Sequence, residues 1–374
     1  MATFSVEHPF LMIFAVFHAV ILLVVLSNLM FAPRIKRGKR KSGSCPAVSV
    51  LVPARNEENA IRACLESILG QTYDNFTVTV LDDESTDATG AILRQMAEKE
   101  PGLKIIQGRP LPLGWTGKNR ACDQLARSAE GDLLLFIDSD CLLAEWAIEA
   151  SVYRMERHGL DLLSCFPTQI LSSWQERLIV PLMDWLLLAF LPLRLVYSSP
   201  WRPFVAANGQ FMLFRKKAYL DTGGHSGVRD RVVEDMELAR KIRGSRMRMM
   251  TALGGRGVYC RMYDSFSASF QGFSKNFYPG FNTGPAAFIM MLLFFEAAFL
   301  LPFLIALADP YFAVIAGTVL LQRMLLSVTD RQNPLINALL HPVHMAVLLV
   351  TGINSLIQTR RGTLTWKGRK LHRA

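Results

Sequence analysis

Residues 48–85 read VSVLVPARNEENAIRACLESILGQTYDNFTVTVLDDES. Two short apolar runs inside this stretch, 48–52 (VSVLV) and 76–81 (FTVTVL), have the length and β-branched content of buried strands. Between them Ile61, Leu65, Ile68 and Leu69 recur at i, i+4, i+7 and i+8, which is one face of a helix. Ala88, Ile92, Leu93 and Met96 repeat the pattern after the second run, and further strands are expected at 103–106 (LKII) and 132–137 (DLLLFI). Strand and helix alternating in this way predict an α/β fold with a parallel sheet covered by helices. In such sheets a ligand lies beyond the carboxyl ends of the strands.

Three polar clusters stand at those ends: Pro53-Ala54-Arg55-Asn56-Glu57, Asp82-Asp83-Glu84-Ser85 and Asp138-Ser139-Asp140. Carboxylates gathered in one crevice repel one another unless a cation joins them, and hard oxygen ligands select Mg²⁺ or Mn²⁺. A metal held by one or two carboxylates, with substrate phosphates and water completing its shell, suits nucleotide chemistry. Phosphate-loop signatures fail: there is no GxGxxG, and Gly114-Trp115-Thr116-Gly117-Lys118-Asn119 lacks the Walker A spacing. Lys118 still falls at the expected start of a helix, where a cation and free N–H groups can meet a phosphate. The plainer readings are a turn and helix cap at 82–85 and at 138–140, and a helix opening at Glu234-Asp235. Glu237, Arg240 and Arg243 read as a solvated helix face.

Outside this domain the chain is apolar. Of 374 residues 51% are hydrophobic and only 19% charged, which excludes disorder, collagen and coiled coil as overall descriptions and argues against a wholly soluble protein. Residues 10–31 include 19 apolar side chains in 22, enough to cross a bilayer. No basic residue precedes them, so they read as an anchor rather than a cleaved signal. The net charge of +10 sits in two patches, 34–41 (RIKRGKRK) and 360–373 (RRGTLTWKGRKLHR), each with six basic residues and no acid. Without those twelve the balance is 29 basic against 31 acidic, so the patches suit an anionic membrane face and no nucleic-acid partner is expected. The positive-inside rule then places the chain after residue 41 in the cytoplasm of a multi-pass protein of the cell (inner) membrane. Apolar segments at 286–308, 310–328 and 335–357 conflict in parity with a basic tail inside. Two full crossings are expected, with 310–328 short or re-entrant, and Glu296 reads either as a functional intramembrane group or as a structural partner of Arg323. Residues 174–197 carry Asp184, Arg194 and two prolines and read as a helix lying in the membrane surface. Six cysteines lack metal-ligand spacing and read as buried thiols in a reducing compartment. The expected organisation is an anchor at 1–33, a basic linker at 34–45, a catalytic domain at 46–280, transmembrane helices at 281–358 and a basic tail at 359–374.

The succession VSVLVPARNE, LDDES, GWTGKN, FIDSD and VVEDMELARKI resembles an inverting family 2 glycosyltransferase of the GT-A fold, over roughly residues 46–245 and in the family's order. With GWTGK, NGQFMLFRK and FQGFSKN and apolar helices at both ends, the chain is similar to membrane-bound members that glycosylate carotenoids and hopanoid-type lipids. The resemblance implies a GT-A domain with one N-terminal and two to three C-terminal transmembrane helices. It implies transfer of one sugar, glucose from a UDP-linked donor, to a lipid acceptor at the membrane face, with Mn²⁺ or Mg²⁺ as cofactor. By the same resemblance Asp82 and Asp83 contact the nucleoside and the 53–57 loop (Pro53, Arg55, Glu57) lines its pocket. Asp138 binds the ribose, Asp140 the metal, and Lys118 the departing diphosphate. Asp235, with Glu234 beside it, is the general base. Asn208, Gly209, Gln210 and His225 are candidates for the sugar or acceptor pocket, and Lys275 for a diphosphate contact. The Gln-x-x-Arg-Trp signature of processive members is replaced by Gln271-Gly272-Phe273-Ser274-Lys275-Asn276, which argues against polymer synthesis and leaves 266–277 reading as a Phe-rich interfacial helix. A polyisoprenyl-phosphate glycosyltransferase, a processive polysaccharide synthase and a non-catalytic scaffold are the alternatives.

Overall fold

The computed structural model describes residues 9–38, 45–201, 203–263 and 265–370. Residues 39–41 of the first basic patch and 371–373 of the second lie outside that range. The chain divides into two compact units, one taking in 33–170, 193–262 and 359–374, the other 1–32, 171–192 and 263–358.

Two sheets of the first unit are built from ten strands, β1 Val48–Ala54, β2 Phe76–Asp82, β3 Leu103–Gln107, β4 Leu133–Ile137, β5 Cys141–Leu143, β6 Leu162–Phe166, β7 Thr168–Gln169, β8 Phe211–Arg215, β9 Met249–Leu253 and β10 Val258–Cys260. Seven form one sheet in the order β3-β2-β1-β4-β8-β6-β9. The first four are mutually parallel, β8 runs antiparallel to both neighbours, and β6 pairs parallel with β9. A small sheet, β5-β10-β7, flanks it. The four strands expected from the sequence are all present. β4 is buried along its whole length, as a central strand with both faces covered requires. Ile61, Leu65, Ile68 and Leu93 bring the expected helical faces into the core with Val50, Val52, Val80 and Leu135. The register Ala54↔Asp82 sets Arg55 beside Asp83, so the two loops that follow β1 and β2 leave the sheet together.

The second unit is helical. Phe10–Phe31, Pro285–Ile305, Tyr311–Thr329 and His341–Arg361 are long and apolar enough to cross a membrane. The segment expected to be short or re-entrant is therefore a continuous 19-residue helix, Tyr311–Thr329. Residues 174–197 do not form one helix. Pro181–Phe190 and Leu193–Ser198 are separated at Pro192, which has no N–H and forces Leu191 into extended backbone. The first of these buries Leu182, Asp184, Trp185 and Leu188, while Trp174 upstream is exposed. Arg323 does not pair with Glu296. Its Nη2 lies 2.7 Å from His344 Nδ1 and its guanidinium 5.8 Å over the Trp185 ring.

Candidate active site

Lys118 is the centre of the site. Thr116 caps the helix Gly117–Ser128, its Oγ1 accepting from the Asn119 N–H at 3.3 Å, and Lys118 follows in the first turn. Lys118 Nζ is 2.8 Å and 2.9 Å from the two oxygens of Asp138 and 3.1 Å from Glu234 Oε1. Burial works against its charge, but the two carboxylates outweigh that and hold its pKa well above the ordinary lysine value. Glu234 is also buried, yet Lys118 holds its carboxyl below the usual range. The two adjacent acids at the start of the helix Glu234–Gly244 are thereby differentiated. Asp235 accepts from the Gly209 N–H at 2.9 Å and the Met236 N–H at 2.7 Å, and burial followed by the neighbouring Glu234 charge pushes it up to about 6.

Gly209 explains how these groups meet. A Cβ there would stand 2.9 Å from Lys118 Nζ and 3.1 Å from Glu234 Oε1, so any side chain would displace the ammonium from its ion pairs. Asn208 and Gln210 shape the same corner. Asn208 exchanges hydrogen bonds with Ser164 Oγ, and its Oδ1 accepts from the Gln210 N–H. The Gln210 carbonyl accepts from the Asp138 N–H at 3.1 Å.

Asp140 lies where β4 gives way to β5. Burial, then the charges of Asp138 and Glu57, push its carboxyl up to about 7. Cys141 and Cys260 are opposed across β5 and β10, and their sulfurs stand with an Asp140 oxygen within 4.8 Å of one another. The spacing of the cysteines in sequence gives no sign of this cluster, because strand pairing creates it. Five of the six thiols are buried, as expected. The Asp140 carboxylate is the hard donor that suits Mg²⁺ or Mn²⁺, whereas both oxygens of Asp138 already face Lys118. Beside them the buried Gln210 Oε1 has no hydrogen-bond partner among the described residues, although its Nε2 donates to Cys260 Sγ at 2.9 Å.

The other two clusters form the opposite side of the crevice. Arg55 Nη1 donates to the carbonyls of Asp83 at 2.5 Å and Glu84 at 3.0 Å, tying the loops together. Asn56 and Glu84 both adopt left-handed backbone, at φ 51° and 56°. Pro53 sits within β1 opposite Leu81, and the Glu57 N–H donates to Thr89 Oγ1. Asp82 ends β2: it is buried, and its Oδ1 accepts from the Ser85 N–H at 3.0 Å, holding the turn that follows. Asp83 is buried too, and burial raises its carboxyl against the pull of Arg369. Arg369 belongs to a hairpin of β11 Thr365–Trp366 and β12 Arg369–Lys370, which the sequence reading treats only as basic tail.

His225 is packed inside the unit. Its Nδ1 lies 2.8 Å from the Tyr219 hydroxyl, its ring rests on Phe136, and burial depresses its pKa to about 3, so it is a neutral core histidine with 2% exposure. Arg243 is likewise not solvated, since its guanidinium donates to the carbonyls of Val196, Ser199 and Phe204. Lys275 lies on the helix Phe266–Phe281 of the other unit.

A mixed sheet with acidic clusters beyond its parallel strands, and a lysine shared between Asp138 of one cluster and Glu234, is the arrangement of the GT-A fold. Residues 49–234 match glycosyl transferase family 2. It is 26% identical over 265 residues to the 4,4'-diaponeurosporenoate glycosyltransferase of Staphylococcus haemolyticus, covering 68% of this chain and 67% of that one. The enzyme of the same name from Staphylococcus aureus is 29% identical over 345 residues, covering 87% and 88%. Among solved structures, a mannosyltransferase of Pyrobaculum calidifontis, in complex with GDP-Man and Mn²⁺, shares the fold with a TM-score of 0.57 at 18% identity, over 96% of this chain and 99% of that one.

Proposed function

We propose that the protein transfers a single sugar, glucose from UDP-glucose, to a carotenoid or related isoprenoid lipid at the cytoplasmic face of the cell membrane, with inversion and with a divalent metal. The observation that carries the reading is the split between Glu234 and Asp235. One carboxylate is committed to Lys118, and its neighbour is free of that ion pair and raised to about 6.

Single displacement at an anomeric carbon needs a group to accept the acceptor's proton and a way to stabilise the departing diphosphate. Asp235 is the base, a contribution worth about 10²–10⁴-fold. Its two backbone hydrogen bonds hold the carboxylate in place. Lys118 holds the donor side, and Glu234 and Asp138 fix its position. Asp83 and the Arg55–Glu57 loop receive the nucleoside, and Asp138 the ribose. Asp140 would hold Mg²⁺ or Mn²⁺, which when bound supplies charge neutralisation at the diphosphate. Both diaponeurosporenoate relatives carry a carotenoid acceptor in their names, which supports the lipid acceptor here. The four membrane-length helices support a membrane location.

The test is incubation of nanodisc-embedded protein with Mn²⁺ or Mg²⁺, a panel of nucleotide sugars and extracted membrane lipid, with Asp140→Ala as control. A lipid that gains one hexose by mass spectrometry, dependent on metal and lost in the variant, supports the reading. A product bearing several sugars, or a glycosylated lipid phosphate, would replace it with one of the alternatives.

A further inference from the structure

The basic tail does more than carry charge. Lys367 and Gly368 form a two-residue turn with φ of 42° and 79°, the left-handed pair that a tight β-hairpin requires. The hairpin inserts its cations at the mouths of β1 and β2. Lys367 Nζ donates to the carbonyls of Arg55 at 2.7 Å and Asn56 at 3.3 Å and pairs with Glu57, and Arg55 Nε donates back to the Lys367 carbonyl at 3.4 Å. Arg369 spans Asp83, at 2.5 Å, and Glu84. Every one of these partners belongs to the loops assigned above to the nucleoside.

The charge balance of the crevice shows why this matters. Glu57, Asp82, Asp83, Glu84, Asp138 and Asp140 contribute six carboxyl groups, against Arg55 from the same loops and Lys118 from the helix Gly117–Ser128. Lys118 is already shared between Asp138 and Glu234. A donor that adds a negatively charged diphosphate to this crevice meets strong like-charge repulsion unless further cations are present. The hairpin supplies two, and it braces the Arg55–Glu57 backbone at the same time.

We propose that the C-terminal hairpin is a wall of the donor pocket, and that Lys367 and Arg369 are binding residues for the nucleoside diphosphate part of the donor. This rests on the transferase reading of the same crevice. Three chains carry the test, each full-length apart from the last: Lys367→Ala, Arg369→Ala and a truncation after Arg361. Binding of UDP and GDP is measured by calorimetry in nanodiscs with Mn²⁺, alongside donor KM and kcat. The expected result is a rise of about tenfold or more in Kd and donor KM for each substitution, with kcat within about twofold. Lys367→Arg and Arg369→Lys should keep most of the affinity, which separates charge at the pocket from general loss of folding. Wild-type protein that binds neither nucleotide overturns the transferase reading and this proposal together. Wild-type protein that binds, with variants that bind equally or more tightly, overturns only the hairpin's role and marks it as a plug that the donor displaces.

Discussion

At the scale of single residues, the site turns on which of two adjacent acids is free to take a proton. Asp235 titrates near 6, and only its ionised form accepts one, so kcat should rise with pH through about 6 and level off above it. A pH–rate profile with saturating donor checks this, and a rate flat from pH 5 to 8 would remove Asp235 from the proton's path. Asp235→Asn should lower kcat about 10²–10⁴-fold with a hydroxyl acceptor. A carboxylate acceptor is already ionised at neutral pH, and there the loss should be less than about tenfold. One variant therefore reports the acceptor class, provided nucleotide binding is shown to be intact. Gly209→Ala puts a methyl group into the 2.9 Å space beside Lys118 Nζ. It should cost about 1–3 kcal/mol of stability and most of the activity. A variant with native melting temperature and native rate would mean that Lys118 moves freely.

At the scale of elements, the first half of the sheet is legible because its signals are local. β1 and β2 are β-branched runs with an amphipathic helix between them, and the acidic clusters follow them directly. β6, β8 and β9 escape the same reading. LLSCF, FMLFR and MMTAL are short runs without alternation, and β8 takes its antiparallel place through pairing with strands far away in sequence. His225 misleads for a related reason: its glycine-rich setting suggests a loop, while burial against Phe136 and Tyr219 is a tertiary fact. Asn28 is a case where a polar residue reads as a mere interruption of an apolar helix and proves structural. Pro192 has no N–H to offer the Leu188 carbonyl, and Asn28 Nδ2 donates to that carbonyl and to Leu191, both at 2.8 Å. Asn28→Leu leaves these acceptors without a donor in an apolar setting and should destabilise the helical unit by about 1–3 kcal/mol. Thermal unfolding in detergent checks it, and an unchanged melting temperature would show that another donor reaches Leu188.

At the scale of the whole chain, the hairpin constrains the membrane topology. Its bonds to Glu57, Asp83 and Glu84 require residues 365–370 to share one side of the membrane with β1 and β2. Three helices of membrane length lie between β10 and the hairpin, and three crossings would put it on the opposite side. An even number of crossings between them meets that requirement, and the positive-inside rule gives the same expectation for the tail. The sequence reading reaches the same number and assigns the exception to 310–328, because parity says how many helices cross but not which. Mean hydropathy separates them: 2.5 for Pro285–Ile305, 1.7 for Tyr311–Thr329 and 1.2 for His341–Arg361. The last also carries Asn354 and Ser355, which bond Ser274 and the Tyr278 N–H inside the helical unit, so its lower hydropathy alone marks it as the exception. Single cysteines at Leu307, Leu335 and Thr363, in a background without the six native thiols, test this with a membrane-impermeant maleimide. Leu307→Cys should be labelled in intact cells, and Leu335→Cys and Thr363→Cys only after lysis. External labelling at Leu335 would return the exception to Tyr311–Thr329. External labelling at Thr363 would contradict the hairpin itself, because no chain that docks Arg369 on Asp83 can present its neighbours to the outside.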